Sequence, residues 1–147
     1  MHAADQYHVG IVVEDLDAGL AELTELFGYD WCDEVDVEQP VQIATGLTTV
    51  RFRFRYSRST PRLEVIQAQP GTLWTRVPGS GLHHVGYWSD DVGADGADLE
   101  RGGYEREAAG MDDDGNLRWS FHGSAAGPRV ELVSRTMEPL IAMMWSN

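Results

Sequence analysis

The stretch PRLEVIQ, residues 61–67, returns as PRVELVS at residues 128–134, with Pro61, Arg62, Leu63, Glu64 and Val65 matched in turn by Pro128, Arg129, Val130, Glu131 and Leu132. A second pair precedes these: HVGIVVED from His8 and HVGYWSDD from His84, each an apolar run opened by a His and closed by an acidic pair. Self-similarity of this kind limits the chain to two copies of one supersecondary unit. It also poses a chemical question. A lone Glu inside an apolar strand marks the wet face of a half-buried sheet, because apolar and polar residues alternate with period two. A Glu repeated at the same place in both copies, each time with a His at the head of an earlier strand, asks for a further reason.

Each copy reads strand, helix, strand, strand, strand. In the first, YHVGIVV is a β-branched run, and DLDAGLAELTELFG sets Leu16, Leu20, Leu23 and Phe27 at helical spacing before Gly28 supplies a C-cap. The acidic segment DWCDEVDVEQP reads as a loop, followed by strands VQIAT, TVRFRFRY and RLEVIQ. The second copy runs LHHVGYW, a weaker helix DVGADGADLERGG, then YEREAA, LRWSFH and RVELVS. From His to Glu is 56 residues in the first copy and 47 in the second. The surplus is expected in the acidic loop, where insertions cost little. The divisions are module one at 5–68, a Pro- and Gly-rich connector at 69–80, module two at 81–134 and an apolar tail at 135–147, together a single domain. The tail, RTMEPLIAMMWSN, is expected to cover a cavity or dock on a partner chain.

At 147 residues such a chain can bury a real core. Its formal charge of −13 disfavours nucleic acid, whose phosphates require a basic surface. Cys32 is the single cysteine, so no internal disulfide forms and no thiolate cluster holds a metal. Neither an apolar run of spanning length nor a basic-then-apolar leader is present, and the expected place is the cytoplasm, away from membranes.

If the two modules pack about a pseudo-twofold axis, the first and last strands of each lie side by side, and His8, Glu64, His84 and Glu131 can converge. Two neutral imidazoles and two carboxylates make a mixed nitrogen and oxygen site suited to one divalent transition ion: Co, Ni, Mn, Zn or Fe. Of the adjacent His83 and His84, the second aligns with His8, and strand alternation is expected to turn His83 away to packing or the surface.

These four residues and the duplicated strand-helix-strand-strand-strand order resemble the vicinal oxygen chelate superfamily, which includes glyoxalase I, methylmalonyl-CoA epimerase, extradiol dioxygenases and bleomycin-resistance proteins. The resemblance runs from Tyr7 to Ser134. It implies an α+β fold of two tandem βαβββ modules related by a pseudo-twofold, forming a cupped eight-stranded mixed sheet with helices outside, and a homodimer. It implies His8, Glu64, His84 and Glu131 as metal ligands at the base of the cup. Full occupancy of the four positions disfavours an Fe(II) dioxygenase, which keeps positions open for oxygen, and a pure resistance protein, which typically lacks the set. The implied activity is isomerase, epimerase or lyase: a metal polarises the carbonyl of a small substrate, such as an acyl-CoA thioester, while Glu64 or Glu131 moves the adjacent proton. The alternative is a protein that sequesters a small molecule without using its metal.

Arg51, Arg53 and Arg55 share one face of TVRFRFRY, and Phe52, Phe54 and Tyr56 share the other. Which face lines the cup depends on whether the following hairpin loop is even or odd. The expectation is an even loop, with Arg53 paired to Glu64 and pointing inward, and Phe52, Phe54, Trp119 and Phe121 beneath the helices. Arg53, Trp119 and His122 are the expected substrate contacts. Trp74 is a further cup residue or a packed anchor, and GMDDDGN at 110–116 is an acidic turn that lacks EF-hand spacing.

Overall fold

The acidic pair that closes each repeated motif begins a helix. Asp15 accepts a hydrogen bond from the Ala18 amide at the start of α1 (Leu16–Phe27), and Asp91 does the same for Ala94 at the start of α2 (Val92–Arg101). Such caps satisfy amides that no helical carbonyl can reach. Gly28 ends α1 in the left-handed region, φ 73°.

The computed structural model describes residues 1–147. Module one contains β1 (Gln6–Val13), α1, β2 (Val35–Ile43), β3 (Gly46–Tyr56) and β4 (Arg62–Gln67). Module two repeats the order with β5 (Leu82–Ser89), α2, β6 (Glu105–Met111), β7 (Leu117–Gly123) and β8 (Val130–Ser134), and α3 (Glu138–Trp145) follows. The eight strands close into one mixed barrel in the order β1-β4-β3-β2-β6-β7-β8-β5. Within the modules β1 runs parallel to β4 and β5 to β8; between them β1 meets β5 and β2 meets β6 in antiparallel pairs. No helix is long and apolar enough to cross a membrane.

α1 and α2 lie outside this sheet. Leu16 and Leu20 of α1 pack on Val65, and Val92 of α2 packs on Val130 and Leu132. Because successive side chains point to opposite faces, burial of Val65, Val130 and Leu132 beneath helices turns Glu64 and Glu131 inward. The midstrand carboxylates therefore belong to the barrel interior, together with an aromatic core containing Phe52, Tyr56, Trp74, Trp119 and Phe121.

Three expectations change. Phe27, placed on the buried stripe of α1, is 70% exposed. The acidic segment is a loop only as far as Glu34, since β2 starts at Val35 and carries Asp36 and Glu38 opposite Arg53 and Arg51 of β3. The surplus of module one is spread: four residues lie before β2, in 28–34 against 102–104, as expected for the acidic segment, three in the hairpin, 35–56 against 105–123, and two in α1.

The third change is the parity of the β3–β4 connection. Tyr56 pairs with Glu64, leaving residues 57–63 between them, an odd number. Phe52, Phe54 and Tyr56 consequently face inward with Glu64, and the arginine row faces out. Arg51 forks onto Asp36 at 2.8 and 2.6 Å, and Arg53 onto Glu34 at 2.9 and 3.1 Å. The acids of the segment preceding and opening β2 neutralise that row, which is why it can stay outside.

Candidate metal centre

Strand register assembles the centre in two rows. Gly10 of β1 lies between Glu64 of β4 and His84 of β5, while Gly86 of β5 lies between His8 of β1 and Glu131 of β8. Each row thus runs donor, glycine, donor. A Cβ on Gly10 would overlap the His84 ring, and one on Gly86 would overlap His8. The absent side chains are the space into which the imidazoles of the opposite module fold.

The four polar groups form a tight cluster whose donor atoms all lie within 4.8 Å of one another. His8 Nε2 stands 2.9 Å from His84 Nε2, 3.1 Å from Glu131 Oε2 and 3.5 Å from Glu64 Oε2; His84 Nε2 is 3.4 Å from each carboxylate. Donors bonded to one ion at about 2.1 Å stand roughly 3 Å apart at right angles and roughly 4.2 Å apart when opposite, so the spacing suits one shared ion. Both histidine side chains are fully buried and the carboxylates nearly so. Two buried carboxylates need two positive charges or two protons. Glu131 Oε2, buried without a hydrogen-bond partner, meets this need if it binds a cation.

Without an ion, protons take that role. Burial is the largest influence on His8 and would lower its pKa, but Glu131 and Glu64 outweigh it and raise it to about 9. His84 moves upward for the same reasons. Burial likewise pushes Glu64 and Glu131 up, yet the two histidines hold both carboxyls below the ordinary range.

His83 does not turn away as strand alternation suggests. The β1–β5 ladder slips twice: Gln6 pairs with Tyr87 but His8 with Gly86, and Gly10 pairs with His84 but Ile11 with Leu82. Tyr7 and His83 are the supernumerary residues of these two bulges, and bulges re-aim side chains. Tyr7 lies against His8 with ring centroids 4.4 Å apart, and His83 Nδ1 comes 3.0 Å from His84 Nδ1. His83 Nε2 is 2.9 Å from the Leu73 carbonyl, which can only accept, so this nitrogen carries the proton. Burial, the leading cause, lowers the His83 pKa to about 4 and keeps the ring neutral. Its Nδ1 must then accept from His84 Nδ1–H, and His84 Nε2 is left to face the carboxylates. A metal-ligating His is commonly oriented by such an outer hydrogen bond. The doubled His at 83 and 84 was the sequence signal, but the bulge that gives it meaning is invisible to period-two reasoning.

Above the centre opens a cavity of about 350 Å³ whose lining is hydrophobic apart from Gln39, Glu64, Arg118 and Glu131. Trp119 and Trp74 are in its wall, Trp74 being only 2% exposed. Met137, Leu140, Ile141 and Met144 of the tail line it too, so the tail covers the cavity. Two expected contacts lie elsewhere. Arg53 is outside the barrel on Glu34, and His122 is buried on the outer face of β7 beneath α2, accepting from or donating to Ser120 Oγ at 2.9 Å, with Gly96 packed above. Both misplacements follow from the parity of the sheet. Cys32 is buried, with Sγ 3.7 Å from the Trp145 carbonyl, and GMDDDGN is a turn in which Asp112 accepts from the Asp114 and Asn116 amides.

Residues 7–121 match the family model described as Glyoxalase/Bleomycin resistance protein/Dioxygenase superfamily. No curated protein matches the chain at a significant level. Among solved structures, a Streptomyces coelicolor methylmalonyl-CoA epimerase variant in complex with 2-nitronate-propionyl-CoA is similar with TM-score 0.59 and 22% identity, over 88% of this chain and 96% of that one. The Mycobacterium tuberculosis methylmalonyl-CoA epimerase gives TM-score 0.60 and 18% identity over 91% and 92%. A hypothetical protein from Bacillus halodurans gives 0.60 and 15% over 88% and 93%.

Proposed function

Because the chain belongs to the glyoxalase/bleomycin resistance protein/dioxygenase superfamily, we propose that it is a divalent-metal-dependent enzyme of the epimerase or isomerase type, acting on a C–H bond next to a carbonyl. The observation that carries this reading is the convergence of two imidazoles and two carboxylates at the floor of an apolar cup. The likeness in fold to methylmalonyl-CoA epimerases supports the reaction class.

His8, Glu64, His84 and Glu131 would hold the ion. A divalent ion supplies Lewis acidity there, worth several kcal/mol where charge develops on a carbonyl oxygen. The proton is the work of the chain. Glu64 and Glu131 come from different rows, one from each module. One carboxylate takes the proton as the C–H bond breaks and its electron pair moves toward the carbonyl oxygen; return of a proton from the other face re-forms the bond with inverted configuration. Tyr7 and Tyr56 stay protonated, because burial and the neighbouring Glu64 and Glu131 raise both phenols. The aromatic walls keep bulk water away from the exchanging proton.

The test is elemental analysis of protein purified without chelator, together with solvent-deuterium incorporation next to the carbonyl of supplied substrates. About one equivalent of a divalent ion, lost in a His8→Ala, His84→Ala double variant, and exchange lost in Glu64→Gln or Glu131→Gln are expected. Metal and exchange both retained in the two Gln variants would overturn the reading.

A further inference from the structure

The chain has no lysine and eleven arginines. Most of these are already engaged. Arg51 and Arg53 fork onto Asp36 and Glu34, Arg129 meets Glu107 and Arg135 meets Asp5 and Asp90. Arg62 donates to the Ser57 carbonyl and lies over the Trp145 ring. At the cup the situation is simpler: one arginine lines it, Arg118, and its side chain is exposed at the rim without an ion-pair partner.

A coenzyme A thioester brings a pyrophosphate and a further phosphate, several negative charges at once, and such groups are held by clustered arginine or lysine side chains. Nothing of that kind borders this cup, and the formal charge of −13 opposes a polyanion at long range. One free guanidinium suits one carboxylate.

The cup wall names the remainder of the ligand. Phe52 and Trp74 meet edge to face at 4.6 Å, and Trp119 and Phe121 meet at 5.6 Å. Rings arranged in this way present both faces and edges to a further ring, the geometry that aromatic groups prefer. At about 350 Å³ the cavity is at the small end of the roughly 300–1,000 Å³ typical of ligand sites.

Resting on the proposed reaction, we infer that the substrate is a compact aromatic carbonyl compound with a single carboxylate, its ring among Phe52, Trp74 and Trp119 and its carboxylate at Arg118, and not an acyl-CoA.

Calorimetric titration of the metal-loaded protein tests this with a matched set: 4-oxo-4-phenylbutanoate as the probe, levulinate without the ring, propiophenone without the carboxylate, and propionyl-CoA. The probe should bind about tenfold or more tighter than levulinate, the worth of burying one ring, and tighter than propionyl-CoA. Trp119→Ala should shrink the advantage of the ring, and Arg118→Gln should remove the preference for the probe over propiophenone. Propionyl-CoA binding as tightly as the probe, or levulinate matching it, would overturn the inference. Deuterium exchange at the carbon next to the ketone is read in the same samples. Ring-selective binding without catalysed exchange sustains the ligand class and removes the reaction; exchange on propionyl-CoA with tighter binding does the reverse.

Discussion

Gly86 lies directly opposite His8 in the β1–β5 ladder, and the imidazole occupies the volume that any side chain at residue 86 would fill. Gly10 stands in the same relation to His84. Gly10→Ala and Gly86→Ala should each displace one imidazole, cost about 1–3 kcal/mol as overpacking does, and abolish tight metal binding. Denaturant melts and metal titration check this, and wild-type affinity in either variant would show that the rings have another place to go.

Removal of the His83 ring should cost metal affinity without touching a ligand. His83→Phe keeps the volume but loses the acceptor for His84 Nδ1–H, and a drop of about 10–100-fold is expected from loss of an orienting partner. His83→Gln, which can still accept, should recover part of it. A variant that melts earlier yet binds metal as tightly as the wild type would make His83 mere packing.

The metal-free centre should respond to pH with a defined sign. His8 rises from 6.5 to about 9 in the fold, so its stabilising effect is complete below pH 6.5 and is lost as the pH climbs through about 9. The depressed carboxyls act oppositely, contributing above the ordinary Glu value of 4.5 and failing as the pH falls below it. Metal binding must displace the imidazole proton, so affinity should increase from pH 6.5 to 9. Thermal melts of chelator-treated protein, beside metal titrations at the same pH values, will show both slopes; flat profiles would mean the cluster does not hold protons in this way.

Substitution outside the barrel should spare the centre. Arg53→Ala and His122→Ala are expected to leave metal stoichiometry and ligand affinity unchanged, because both side chains lie on the outer face. Trp119→Ala, in the cup wall, should weaken ligand binding and leave the metal in place. Equal losses in Arg53→Ala and Trp119→Ala would contradict the observed parity of β3 and β7.

The repeat carried most of the architecture into the sequence. Two His and two Glu at matched positions, with a strand-helix-strand-strand-strand order around them, carry the resemblance that implies the cupped eight-stranded sheet, and a pseudo-twofold packing of the copies brings the four together. The sequence could not fix the face of β3, since an arginine row and an aromatic row alternate with equal regularity and only the odd number of residues from 57 to 63 separates the two outcomes. The VQIAT strand was read, but the first part of β2, from Val35 to Pro40, was hidden because its acids read as loop residues until their arginine partners are seen across the ladder. The bulges at Tyr7 and His83 break the period on which face assignment depends. One signal was present and unused: the glycine two places after each repeated His, which sets how closely the two modules approach.

Closure of the sheet has a further outcome for the life of the chain in a crowded solution. Each of the eight strands has a neighbour on both sides, but β2 meets β6 through the single pair Gln42 and Ala109, and β3 meets β4 only from Phe54 to Tyr56, so the outer part of the β2–β3 hairpin keeps free amides and carbonyls. Edge-to-edge aggregation and strand addition are opposed there by Pro40 and by the charges of Asp36, Glu38, Arg51 and Arg53.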